Sequence, residues 1–122
     1  KIDEECELVT QILKAKANRK GISIIGDMPF YIAHKSPLVW ANQELFDLLP
    51  DGTLHKASGV PKVKGKKFVR QFWGHPLYEW RKKAKIPMIL DFWKMRIQYM
   101  ARLYDWTRLD HAAGFFNFNF RF

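Results

Sequence analysis

The chain has 122 residues, enough for one compact domain and too few for two. No apolar run approaches the ~18 residues of a membrane-spanning helix, and the single cysteine, Cys6, excludes an intrachain disulfide, so a soluble, cytoplasmic protein is expected. Lys and Arg number 21 against 12 Asp and Glu, a formal charge of +9 that permits a polyanionic partner.

The first periodic segment predicts a helix from Glu4 to Lys20, with Leu8, Val9, Ile12, Leu13 and Ala17 on one face. Asp3 is its expected N-cap, Glu4 and Glu5 suit the positive end of the helix dipole, and Gly21 supplies the stop. ISIIG, Ile22 to Gly26, is short, β-branched and apolar. It predicts a strand buried on both faces, as in a parallel sheet, with Asp27 at its C-terminal end.

From Pro29 to Trp80 no long periodicity exists, and Pro37, Pro50, Gly52, Gly59, Pro61, Gly65, Gly74 and Pro76 punctuate the stretch. So long an excursion marks a functional insertion with small elements of its own. Within it, Ser36 to Phe46 predicts a short helix and Asp51-Gly52 a turn. Pro87 opens a second helix running to Tyr104, whose stripe is Ile89, Phe92, Trp93, Arg96, Met100, Leu103 and Tyr104. Asp105 to His111 then predicts another short strand.

Helix, strand, excursion, helix, strand is the order of an α/β architecture with parallel strands, whose C-terminal ends lie on one edge of the sheet. In β/α barrels that edge carries the active site, and both predicted strands bring an aspartate to it, Asp27 and Asp110. Strand alternation puts Arg108 and Asp110 on one side and Leu109 and His111 on the other. A guanidinium beside a carboxylate favours the ionised form, which is the form a nucleophile needs. An Arg-x-Asp pair at a strand end is equally a common structural ion pair, so these residues alone leave catalysis and anchoring both open.

The basic residues concentrate in VKGKKFVR, Val63 to Arg70, and RKKAK, Arg81 to Lys85, and aromatics make up 16% of the chain. Such a composition also suits a small nucleic-acid-binding module. Phe92, Trp93 and Tyr99, however, fall at helical spacings that assign them to a core. His34, His55, His75 and His111 lie far apart in irregular segments, so no metal site is expected.

IIGDMPFYIAHKSPLVWANQELF, DGTLHKASGVP, QFWGHPLYEW and TRLDHAAGF, in that order, resemble consecutive motifs of the 4-α-glucanotransferases, the amylomaltase or disproportionating-enzyme family (glycoside hydrolase family 77). The resemblance covers Ala17 to Phe116. It implies a segment of a (β/α)8 TIM barrel, about two strands with their helices, in which residues 29–80 form a long insertion between the third and fourth barrel strands. The activity it implies is α-retaining transfer of α-1,4-glucan segments to the 4-hydroxyl of glucose or another glucan, with no metal or organic cofactor. Maltooligosaccharides are the implied partners, without membrane or nucleic acid.

Residue by residue, the resemblance implies Asp110 as nucleophile and Arg108 as its orienting partner. It places Asp27 and His111 against substrate sugar, and Gln71 and Trp73 on the loop that contacts acceptor glucan. The family's acid/base glutamate belongs to a Glu-Asp-Leu-Gly motif on the next strand and is not among these residues, so the isolated chain is expected to be inactive. Glu79, in the structural-looking PLYEW stretch, does not replace it.

Three departures stand out. PKVKGKKFVRQ carries lysines where the family reads Pro-Pro-Asp and a small polar loop, Ala113 replaces an arginine, and NFNFRF, Asn117 to Phe122, leaves the pattern. Two strands cannot close a barrel, so apolar surface over Ile22 to Ile25 and Met88 to Leu103 is expected to lack neighbours. The alternative, a basic nucleic-acid-binding module, would lose affinity steeply with salt, whereas glucan contacts through uncharged hydroxyls would barely respond.

Overall fold

The computed structural model describes residues 2–60 and 71–116; the basic stretch 63–70 and the terminal NFNFRF lie outside the described residues. In chain order the elements are α1 (Ile2–Asn18), β1 (Ile25–Pro29), α2 (Pro37–Ala41), β2 (Ala57–Val60), β3 (Gln71–Pro76), α3 (Ile86–Leu103) and β4 (Trp106–Asp110). Short 3-10 turns lie at Gln43–Leu45, Lys83–Lys85 and Ala112–Phe116. They form two compact units, residues 2–29 with 90–111, and residues 30–89 with the turn that starts at Ala112.

In the first unit α1 starts at Ile2, so Asp3 lies inside the helix and is not its N-cap. The stop at Gly21 is as expected. Gly21 has φ 73, its N–H donates to the Asn18 carbonyl at 3.0 Å, and the Ile22 N–H donates to Ala17 at 3.0 Å. That is the Schellman closure, which the left-handed glycine makes possible without a Cβ clash.

The same closure moves β1. Ile22 is tied back to the helix, and the Ile24 N–H is taken at 2.8 Å by the Asp105 carboxylate. The ladder therefore starts at Ile25, three residues later than ISIIG suggests, and Asp27 sits in the middle of β1. β1 pairs in parallel with β4 in the register Ile25↔Trp106, Asp27↔Arg108, Pro29↔Asp110.

Burial on both faces is also corrected. Gly26 and Met28 are buried while Ile25, Asp27 and Pro29 are exposed, because only one face of the strand is covered. Gly26 lies so close under the Tyr104 ring that any Cβ there would overlap it. On α3 the predicted stripe supplies Ile89, Phe92, Trp93 and Leu103 as buried residues, but Tyr99 is 38% exposed and does not belong with them. Ile22 and Ile25 stay open to solvent, as do Met88, Leu90, Met95 and Ile97.

The second unit is less irregular than its glycines and prolines suggest. β2 and β3 pair antiparallel, and their register slips between Ala57 and Gly59, where β3 carries Gly74 at φ 70. The bulge hides the period-two alternation from a sequence reading. Around Phe30 the rings of Tyr31, Tyr78 and Phe115 pack edge-on at 5.0, 5.3 and 4.9 Å, and the Tyr78 hydroxyl donates to the Phe30 carbonyl at 3.2 Å. The short helix capped by Ser36 ends at Ala41, since Asn42 takes a non-helical φ of −137° and donates its side-chain amide to the Leu38 carbonyl.

Asp47, buried in this unit, is met by His55 Nδ1 at 2.7 Å, Arg81 Nη2 at 3.1 Å and Lys56 Nζ at 3.6 Å. Burial pushes its carboxyl up, but the His55 hydrogen bond and the charges of His55, Lys56 and Arg81 outweigh it and hold the group below its usual range. A depressed folded-state value means stability present above the unfolded carboxylate pKa and lost as the pH falls through the folded one. Asp47→Asn should therefore cost about 1–3 kcal/mol at neutral pH and flatten the loss of stability below about pH 4. Urea melts from acid to neutral pH measure both; an unchanged acid-side slope would show that Asp47 does not carry it.

Candidate active site

The register of β1 and β4 assembles the site. Because Asp27 lies directly opposite Arg108, and Arg108 is two residues before Asp110, all three side chains leave the same sheet face. Arg108 Nε donates to Asp27 Oδ1 at 2.8 Å and its Nη2 to Asp27 Oδ2 at 3.2 Å, a two-pronged contact, while Nη2 also reaches Asp110 Oδ1 at 2.9 Å. The Asp27 hydrogen bond, then the charges of Asp110 and Asp27, push the Arg108 pKa above its already high value. The cation is thus permanent.

β4 is one residue shorter at each end than the expected Asp105 to His111, so Asp110 ends it, and no partner of Asp110 Oδ2 is found among the described residues. One carboxylate oxygen is thus held by the guanidinium. His111 departs from the expected alternation. It lies one residue past β4 with φ 53, in left-handed backbone, so its direction is set by the turn rather than by the strand. Its Nε2 is buried.

Gln71 and Trp73 belong to the second unit, two residues apart on β3, with Trp73 Nε1 donating to Gln71 Oε1 at 3.0 Å. The Trp73 ring lies 6.1 Å from Tyr31 at a 58° tilt. Glu79 is buried and paired with Lys82 at 3.2 Å. Within RKKAK, Arg81 and Lys82 are already committed to Asp47 and Glu79, which weakens that stretch as a phosphate-binding patch. Among the described residues no group of three or more His, Cys, Asp or Glu is arranged to hold a metal ion.

Sequence reasoning misses Asp105. Its carboxylate accepts from the Ile24 N–H at 2.8 Å and the Asn18 amide at 2.9 Å, with Lys14 Nζ at 3.6 Å. The first two bonds, then Lys14, hold its pKa down against slight desolvation. An aspartate between a helix end and a strand start is the available signal, but nothing local names a partner 81 residues away.

A family profile described as 4-alpha-glucanotransferase matches residues 5–119. The chain belongs to that family. It is 43% identical over 105 residues to the 4-alpha-glucanotransferase of Clostridium butyricum, covering 84% of this chain and 21% of that protein. The chloroplastic/amyloplastic 4-alpha-glucanotransferase of Solanum tuberosum is 42% identical over 102 residues, covering 84% and 17%. Among solved structures, the amylomaltase from Streptococcus agalactiae in complex with acarbose matches with TM-score 0.73 and 41% identity, over 87% of this chain and 21% of that one.

The chain thus spans about a fifth of the length of these glucanotransferases, and its mixed α/β fold resembles part of an amylomaltase. Among the described residues no helix is long and apolar enough to cross a membrane.

The left-handed turn just past Asp110 gives a test of local strain. Both His111→Ala and His111→Gly remove the imidazole, but only glycine adopts φ 53 without a Cβ penalty. The glycine variant should be the more stable by about 1 kcal/mol in urea unfolding. Equal stability would mean that the turn is not strained.

Proposed function

We propose that this chain is the nucleophile-bearing part of a cytoplasmic 4-alpha-glucanotransferase. It would move segments of α-1,4-glucan to the 4-hydroxyl of glucose or another glucan by α-retaining double displacement. The observation that carries this reading is the Arg108 fork, which holds Asp27 and Asp110 on one face of a parallel strand pair, with Asp110 at the C-terminal end of its strand. In this reading β1 and β4 are neighbouring strands of a (β/α)8 barrel and residues 29–80 are the insertion between its third and fourth strands.

Asp110 Oδ2 attacks the anomeric carbon as the C1–O bond to the leaving glucan breaks, giving a glycosyl ester. A carboxylic acid outside these 122 residues protonates the departing oxygen. The same group then takes the proton of an acceptor 4-hydroxyl, whose oxygen attacks C1 and releases the Asp110 carboxylate. Arg108 holds Oδ1 throughout and so aims Oδ2 at carbon, while Asp27, on Nε and the shared Nη2 of the same guanidinium, and His111 contact the donor sugar.

Gln71 and Trp73 supply an acceptor contact: a ring face for the apolar side of a glucosyl unit and an amide donor for its hydroxyls. That the similar amylomaltase of Streptococcus agalactiae is in complex with acarbose supports a carbohydrate ligand for the whole enzyme.

In a full-length 4-alpha-glucanotransferase carrying this segment, Asp110→Asn should lower maltotriose disproportionation at least about a thousandfold while leaving the circular dichroism unchanged. Near-normal turnover would remove Asp110 from the nucleophile's role. Trp73→Ala should raise the acceptor KM about tenfold with a smaller change in kcat; unchanged acceptor kinetics would count against the stacking contact. The 122 residues alone should show no transfer in the same assay.

A further inference from the structure

A cavity of about 440 Å³ opens within the second unit, and none of the residues placed at the candidate active site lines it. Its wall includes His34, Lys35, Trp40, Gln43, Asp51 and Gly52. The volume falls in the range of roughly 300–1,000 Å³ usual for small-molecule sites.

The wall is held by its own bonds. Ser36 caps α2 by accepting from the Val39 N–H, and Val39 is buried, so the short helix is anchored while the next residue, Trp40, stands 76% exposed. Facing it, the Leu49–Thr53 turn closes through Gly52 N–H to Leu49 and Leu49 N–H to Thr53, both 2.9 Å. Gly52, at φ 80, accepts on its carbonyl from His34 Nε2 at 2.8 Å. Because a carbonyl only accepts, His34 Nε2 is the donor in this contact.

Asp51 Oδ1 takes both the Thr53 hydroxyl at 2.7 Å and the Thr53 N–H at 2.9 Å, which hold the carboxyl below its usual range. The polar side chains on the wall are thus His34, Asp51, the Lys35 ammonium, which donates, and the Gln43 amide, which both donates and accepts. One cation and one anion offset each other, so the wall does not select an ion. It matches a neutral polyol with an apolar face, the chemistry of a glucosyl ring on an indole.

We propose that this cavity is an additional α-1,4-glucan subsite in which one or two glucosyl units stack on Trp40 and hydrogen-bond to Gln43, Asp51 and His34. The proposal rests on the glucan reading above, and its test separates the two. The indole Nε1–H signals of this chain are assigned with Trp40→Phe and Trp73→Phe and followed by ¹H–¹⁵N spectroscopy during titration with maltotriose.

The Trp40 signal should shift saturably, and Trp40→Ala, at a solvent-exposed position that folding tolerates, should weaken the affinity read from the remaining cavity resonances about tenfold. A shift of Trp73 with Trp40 unmoved would overturn the cavity subsite and leave the glucan reading standing. Silence at both would overturn both. An equal response of Trp40 to the same concentration of glycerol would reduce the cavity to a generic polyol contact and overturn it as well.

Discussion

The pairing of β1 with β4 is the constraint on which the candidate site depends, because it joins residues 81 positions apart in the chain. Side chains alternate with period two, so a slip of one residue would turn Asp27 to the opposite face from Arg108 and leave the guanidinium with Asp110 alone. What sets the register is Asp105. Its carboxylate binds the Ile24 N–H, while its own N–H and that of Trp106 donate to the Ile24 carbonyl at 3.0 and 3.3 Å. Ile24 is thereby used up on both its backbone groups just before the ladder starts, and the first available pair is Ile25 with Trp106.

The Arg108 fork does not itself hold the strands together. Its side chain is 60% exposed, as is that of Asp27, and exposed ion pairs contribute little to stability because water and salt screen them. The dependence runs the other way. Backbone pairing brings two carboxylates to one guanidinium, and the planar geometry of that group then fixes how they are turned. The arrangement is thus nearly irrelevant to folding yet tightly specified in geometry.

Much of this is legible in the sequence, and the failures share a cause. The stop of α1 at Gly21 and the common side of Arg108 and Asp110 both follow from backbone geometry within a few residues. The start of β1 does not, because Ile22, for all its β-propensity, is claimed by the α1 closure and Ile24 by a distant aspartate. β2 and β3 escape a sequence reading because a bulge and the glycines Gly59 and Gly74 break the alternation that identifies strands. Tyr99 misleads because helical spacing gives a residue's angle on α3 and not the extent of what covers it. For Gln71 and Trp73, adjacency on one side of β3 is what the sequence spacing implies once a strand is granted; the indole-to-amide hydrogen bond depends on side-chain torsions that spacing does not fix.

Arg96 holds the other end of β1. Spacing places it in the apolar stripe of α3, which is an odd position for a guanidinium until its contacts are considered. Its guanidinium carbon lies 4.5 Å from the Trp93 ring centre, and its Nη2 donates to the Pro29 carbonyl at 2.7 Å. Pro29 has no N–H, so that carbonyl is its only backbone hydrogen-bonding group, and Pro29 is the residue that pairs with Asp110. The helix that leads directly into the Asp110 strand therefore also grips the end of the strand that carries Asp27. With Asp105 locking the start of the ladder and Arg96 its end, the span between them has little freedom to slide, and the separation of the two carboxylates is set by backbone on both sides.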